Sequence, residues 1–126
     1  MKFQLTLAAV LAGGFLMVGA TSAAAAPLSG QQVFEGRCMS CHSLQPAPSK
    51  MGPPLAGVIG RKTASVPGYA YSSAMQQKKG YVWTPEMVDI FLQGPNKLVP
   101  GTKMPIGLSD AEQRAAVIQY LGSIKK

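Results

Sequence analysis

The sequence predicts an all-α domain, and three observations carry that prediction. No stretch alternates apolar and polar residues with the period of two that a half-buried strand requires. Three helix starts can be read directly. Ser29-Gly30-Gln31-Gln32 and Ser109-Asp110-Ala111-Glu112 have the form of capping boxes, and Thr84-Pro85-Glu86 supplies a cap, a proline at the first helical position and an acid in the first turn. Behind the last two starts, apolar residues recur at helical spacing: Met87, Val88, Phe91 and Leu92 in one case, Val117, Tyr120, Leu121 and Ile124 in the other. No internal repeat accompanies them.

The chain opens as a secretory leader. Lys2 precedes an apolar run from Leu5 to Ala20, and the alanines 23–26 come after it. Cleavage after Ala25 places small residues where a signal peptidase needs them, whereas a cut one residue later sets Pro27 directly beside the scissile bond. This gives residues 1–25 as a cleaved signal peptide and 26–126 as one domain, exported to the periplasm. The apolar run falls short of the roughly 20 residues that cross a bilayer, so no stable membrane insertion is expected, a leader retained as an anchor being the alternative. The formal charge of +7 falls by one, to +6, when Lys2 leaves with the leader. A basic surface raises nucleic acid as a partner, but no recognition motif or stacking platform is present and the chain is exported. Acidic docking faces on other proteins suit the charge better.

In chain order, the first helix starts at the Ser29 box and runs through Val33, Phe34 and Arg37. Gly30 and Phe34 share a face, and a glycine there admits the close approach of another helix. From Leu44 to Gly68, prolines 46, 48, 53, 54 and 67 and glycines 52, 57, 60 and 68 break every regular period, so this segment is a loop. Loops of that length in compact domains are functional or wrap something. Ser72 to Lys79 reads as a short helix ended by Gly80. The helix behind Thr84 is stopped by Gly94-Pro95, a second loop runs from Asn96 to Leu108, and the last helix starts at the Ser109 box.

The first helix leads into Cys38-Met39-Ser40-Cys41-His42, which holds both cysteines and the only histidine of the chain. Cys-x-x-Cys-His is the attachment sequence of c-type haem: two thiols at this spacing add to the two vinyl groups of one porphyrin, and the next residue offers an imidazole to the iron. A structural zinc site needs four ligands, and three contiguous ones cannot close round a metal. A thioredoxin-like dithiol needs a βαβ surround that is not in the sequence. Haem also answers the problem of size, because a domain of about 100 residues buries too little of its own surface to be robust and gains a core from a large apolar cofactor.

The methionines are the candidates for a partner to the iron opposite His42. Of the five methionines beyond the leader, Met39 sits inside the attachment loop and Met87 on a helix face. Met104 lies in the stiff segment Pro100-Gly101-Thr102-Lys103-Met104-Pro105, which has no helix to fill and could aim one side chain. Met51 and Met75 are its rivals on the same reasoning, and for all of them plain core filling is the competing use.

The ordered set of motifs resembles the class I c-type cytochromes, on the cytochrome c2-like and mitochondrial-like branch, over nearly the whole chain beyond the leader. Gly30 and Phe34 match the family's first-helix pair, and Cys38, Cys41 and His42 its attachment site. Gly52-Pro53-x-Leu55-x-Gly57-x-x-Gly60-Arg61-Lys62-Thr63 matches the proximal loop, Tyr71 and Trp83 the propionate pocket, residues 100–104 the distal loop, and Tyr120 and Leu121 the last helix. The resemblance implies the cytochrome c fold, with N- and C-terminal helices crossing over one covalently bound haem c and long Gly/Pro-rich loops wrapping it. It implies His42 and Met104 as iron ligands and the Pro53 carbonyl as the partner of the His42 ring. Arg61, Tyr71 and Trp83, with Thr102, are implied as donors to the haem propionates, which must be hydrogen-bonded if they leave water. Three departures stand out: Phe91 where relatives often have a tyrosine facing the methionine, one residue more between Tyr71 and Trp83, and one fewer between Met104 and Tyr120.

The expected function is that of a soluble, monomeric, periplasmic one-electron carrier between respiratory or photosynthetic complexes. It is not an enzyme, since His and Met together leave the iron no vacant position. Lys50, Lys62, Lys97 and Lys103 are expected to ring the haem edge and meet acidic partners. The alternatives are a cytochrome subunit permanently docked on a periplasmic dehydrogenase or oxidase, and a haem peroxidase, for which no second histidine is present to serve as a distal acid-base group.

Overall fold

The computed structural model describes Ala9 and residues 11–126. Lys2, Leu5, Leu7 and Val10 of the leader lie outside the described residues. Residues 11–29 form no regular element, and Leu11, Phe15, Leu16, Met17 and Val18 are all exposed. Among the described residues no helix is long and apolar enough to cross a membrane.

Helix α1 (Gly30–Val33) starts on the expected capping box: Ser29 Oγ accepts from Gln32 N, and Gln32 Oε1 accepts from Ser29 N. It runs on without a break into a wider, π-helical turn, Phe34–Cys38, closed by Met39 N donating to Phe34 O at 3.0 Å. Helix α2 (Ser73–Gln77) is capped by Ser72, and α3 (Pro85–Gln93) by Thr84 with Pro85 at its start. Gly94-Pro95 does end α3, but the proline at once opens a further turn, α4 (Pro95–Leu98), so the second loop is shorter than the sequence suggests. A fixed φ suits the first position of a helix as well as it blocks the middle of one. Helix α5 (Ala111–Ser123) is capped one residue later than expected, by Asp110, whose carboxylate accepts from Gln113 N at 2.9 Å. Between residues 38 and 72 the chain is loop, with no strand beyond an isolated antiparallel bridge, Lys62 to Val82, among the described residues.

Two apolar clusters hold these pieces together. Val33, Phe34, Val58, Leu108, Val117 and Leu121 form one, with Cys38, Leu44, Leu55 and Tyr120 against it. Met75, Phe91 and Val99 form the other, with Ala64, Tyr71 and Met104 against it. Trp83 packs on both. Cys38, of the attachment segment, and Met104 thus edge different clusters.

Helix α1 crosses α5 where Gly30 lies. A β-carbon at Gly30 would run into the Ala116 carbonyl oxygen and stand 2.5 Å from Tyr120 Cβ, so only glycine lets the two helices approach this closely. The contact continues through Phe34 and Tyr120, whose ring centroids are 5.9 Å apart. Gly30→Ala is therefore expected to cost about 2 kcal/mol as an overpacking change against backbone, and to lower the thermal midpoint by about 10 °C. An unchanged midpoint by circular dichroism would show that the helices can slide apart without loss.

Candidate functional site

The site is built on the end of the first helical segment. After the π-helical turn, Cys41 N and His42 N both donate to Cys38 O, at 3.1 and 2.8 Å, so the Cys-x-x-Cys-His segment coils into one tight turn. Both cysteine side chains are half-buried at this turn.

The next loop returns to this turn. Gly52 N donates to Cys41 O at 2.7 Å, Leu55 N to Ser43 O at 2.9 Å and Ala56 N to Leu44 O at 3.0 Å. Gly52 passes flat against the imidazole, where a β-carbon would lie 2.6 Å from Nδ1. His42 Nδ1 and the Pro53 carbonyl oxygen are 2.8 Å apart. A carbonyl only accepts, so the proton sits on Nδ1 and the lone pair of Nε2 is left for a metal. Burial lowers the His42 pKa, the Pro53 bond opposing it, and the ring is held in the neutral form that ligation needs. The expected partnership of His42 with Pro53 is thus present in the structure, and a carbonyl in that place fixes ring orientation as well as tautomer.

Arg61 comes from the same loop. Its Nη1 and Nη2 donate to the carbonyls of Pro54 and Ala56 at 2.8 and 2.7 Å, while its Nε is buried with no partner. Burial lowers its pKa, and Tyr71 nearby acts in the opposite direction. Trp83 N donates to the Arg61 carbonyl at 2.8 Å, bringing the tryptophan to the arginine. The Tyr71 hydroxyl accepts from Val66 N at 3.0 Å and keeps its own hydrogen to give. Thr102 Oγ1 accepts from Met104 N at 3.3 Å and likewise keeps a hydrogen. Buried N–H groups are almost always partnered, so the orphan on Arg61 calls for an acceptor beside it, and carboxylates are what this donor set suits. The Arg61, Tyr71 and Thr102 donors would therefore suit the propionates of a haem.

The methionines separate by exposure. Met51 is 72 % exposed, so its side chain has no apolar wall around it. Met75, on α2, is a buried member of the second cluster, and Met104, on its loop, packs against that cluster. Met87 is half-buried and lines a cavity of about 170 Å³ with Trp83 and Met75. Two of the four lysines expected to face partners have other work: Lys103 Nζ donates to the Ala70 carbonyl and Lys50 Nζ to the Met39 carbonyl, each at 2.5 Å. Lys62 and Lys97 are exposed.

Sequence reasoning does not find Arg114 and Asp89. Arg114 is buried on α5, and its Nε lies 2.8 Å from Asp89 Oδ1 on α3. No local pattern joins residues 25 positions apart in the chain.

Comparison with known proteins agrees with the geometry. The profile of the family described as cytochrome c matches residues 28–125. Cytochrome c type-1 of Ascaris suum is 47 % identical over 94 residues, covering 74 % of this chain and 83 % of the relative. Cytochrome c2 of Rhodopila globiformis is 42 % identical over 100 residues, covering 79 % and 93 %. The c-type cytochrome cy of Rhodobacter capsulatus is 46 % identical over 99 residues, 78 % of this chain but 49 % of that relative, so the likeness spans about half of the longer protein. A family profile covering most of the sequence, an attachment turn with its histidine already oriented, and relatives matched over most of their own length lead to one conclusion: the chain belongs to the cytochrome c family.

Proposed function

We propose that the protein is an exported one-electron carrier that works in the periplasm between redox complexes with acidic docking faces, its iron held by His42 and Met104. As a member of the cytochrome c family it carries haem c, bound through Cys38 and Cys41, and it transfers electrons rather than making or breaking bonds in a substrate. The bound haem supplies a reversible one-electron couple. The observation that carries the reading is the His42–Pro53 contact at 2.8 Å, which leaves Nε2 as a ready ligand at the end of the Cys-x-x-Cys turn.

The chain's own residues do the rest. Met104 is the better second ligand because its loop is stiff and tied on its N-terminal side, Met104 N donating to Thr102 Oγ1 and Lys103 Nζ to the Ala70 carbonyl, whereas Met75 is fixed within a helix. A thioether opposite an imidazole favours the ferrous state and raises the potential. Arg61, Tyr71, Trp83 and Thr102 would hold the propionates with the donors they have left. The apolar run of the leader, exposed and packed on neither core cluster in its described part, suits a removable leader and so export.

Docking is testable through charge. Lys103 and Lys50 are poor probes, because reversing either breaks a tie to backbone as well as a surface charge. Lys97, exposed on α4 just before the distal loop, is the better one, and exposed Lys125 at the far end of the chain controls for net charge. Second-order electron transfer to an acidic redox protein should slow steeply as salt rises towards 0.1 M, where the screening length is about 10 Å, and Lys97→Glu should slow it more than Lys125→Glu. Equal losses, or rates indifferent to salt, would assign the positive charge to solubility instead.

A further inference from the structure

The loop that carries Met104 is gripped at its far end by two helices. Leu108 N donates to the Leu92 carbonyl, in the last turn of α3, at 2.7 Å. Just before it, Gly107 lies flat on the α3–α4 joint, where a β-carbon would meet the Leu92 carbonyl and stand 3.0 Å from Pro95 Cδ. From the other side comes Arg114 of α5, only 9 % exposed. Its Nη1 donates to the carbonyls of Leu108 and Ser109, at 3.0 and 2.7 Å, and its Nε to Asp89 Oδ1 on α3, at 2.8 Å. The other oxygen of Asp89 accepts from Gln93 Nε2 at 2.8 Å, so the carboxylate is itself held. One guanidinium therefore joins α3, α5 and the stem of the loop. Phe91, a member of the cluster against which Met104 packs, and Leu92, which holds the stem, are neighbours in α3.

We propose that Arg114, oriented by Asp89, is a positioning residue for the iron's sulfur ligand: it fixes the stem four residues after Met104, so that the thioether is presented to the iron with little freedom to leave. The inference rests on Met104 being that ligand. The ion pair of a buried arginine with a carboxylate whose side chain is 40 % exposed adds little net stability, and what the guanidinium and its hydrogen bonds supply is a defined geometry. Here the defined object is a loop with no regular structure of its own.

The test uses haem-loaded protein. The long-wavelength absorption band of the iron–sulfur bond is followed with temperature beside circular dichroism, and carbon monoxide binding is timed in the ferrous form. Arg114→Met should lose the band well below its own unfolding transition and bind carbon monoxide about tenfold faster, since hydrogen bonds to a charged group no longer hold the stem. Asp89→Ala should move both readouts in the same direction by less, and Asp89→Asn, which keeps an acceptor oxygen, should return towards wild type. Leu121→Ala removes packing from the other cluster, so it should lower the unfolding temperature while the band persists until unfolding. The proposal is overturned if Arg114→Met loses the band only as it unfolds and binds carbon monoxide at the wild-type rate. Should Arg114→Met fail to fold, wild-type behaviour of Asp89→Ala overturns it equally. Met104→Ala separates the two readings. A band that survives Met104→Ala removes the ligand assignment and this inference with it, whereas a band lost there but untouched by Arg114→Met removes the inference alone.

Discussion

Alanine at both Cys38 and Cys41 is expected to leave a chain with no covalent haem and little folded protein. The core explains why. Its larger cluster holds six buried side chains and its smaller one only three, with Trp83 packed on both. Such a domain recovers too little free energy from its own side chains to offset the ordering of about 100 residues, and an apolar cofactor has to make up the difference. The long loop points the same way, since residues 44–56 are turned back on the attachment segment by hydrogen bonds from Gly52, Leu55 and Ala56. Without the cofactor, those bonds close a loop around nothing. A denaturing gel stained for haem should show no band for the double variant, and circular dichroism of the exported fraction should show little helix. Either single cysteine variant should keep some covalent haem through its one remaining thioether. Recovery of wild-type chain that is folded, free of haem and titrates two thiols would refute this account of the core.

How much of this is legible in the sequence depends on how local each signal is. The Ser29 and Thr84 starts are readable because a cap and its acceptor lie within three residues of each other, and both caps are formed. The last helix starts one residue later than its capping box indicates, since Ser109 and Asp110 are both good caps and the carboxylate makes the bond to Gln113. Pro95 reads as a stop because a proline ends the helix before it, but the same fixed φ also starts the turn after it. The wide turn from Phe34 to Cys38 has no signature in the apolar spacing, yet it sets how the attachment segment leaves the helix.

At the site, the attachment residues are legible because thioether and imidazole chemistry demands them in one short string. The Pro53 carbonyl is implied only by family likeness, and its bond to His42 depends on Gly52 passing against the ring. The ammonium groups of Lys50 and Lys103 look like surface charges, and nothing in the sequence indicates that each is spent on a carbonyl many residues away. The grip of Arg114 on Leu108, Ser109 and Asp89 is of the same kind: it exists only once α3 and α5 are packed together.

Met104→Ala should produce the largest change of any single substitution in the electron-transfer site. The alanine cannot reach the iron, so the sixth position is left to water or an added ligand, and the ferrous protein should bind carbon monoxide far faster than the parent, in which the sulfur must first leave. The potential should fall by a few hundred millivolts, because axial ligands set haem potentials over a range of about 0.8 V and loss of the thioether removes the ligand that favours the ferrous state. The fold should survive, since Met104 packs at the edge of the second cluster and is not among its buried members Met75, Phe91 and Val99. Met75→Ala offers the contrast. Met75 is 8 % exposed and belongs to that buried group, so its loss should cost about 2–5 kcal/mol of stability as a cavity while leaving the iron–sulfur band in place. The two variants thus separate a ligand from a core residue in opposite readouts, potential for one and unfolding temperature for the other. If the band instead vanishes in Met75→Ala and persists in Met104→Ala, the sulfur comes from α2, and the stiff loop around residue 104 serves only to close that side of the crevice.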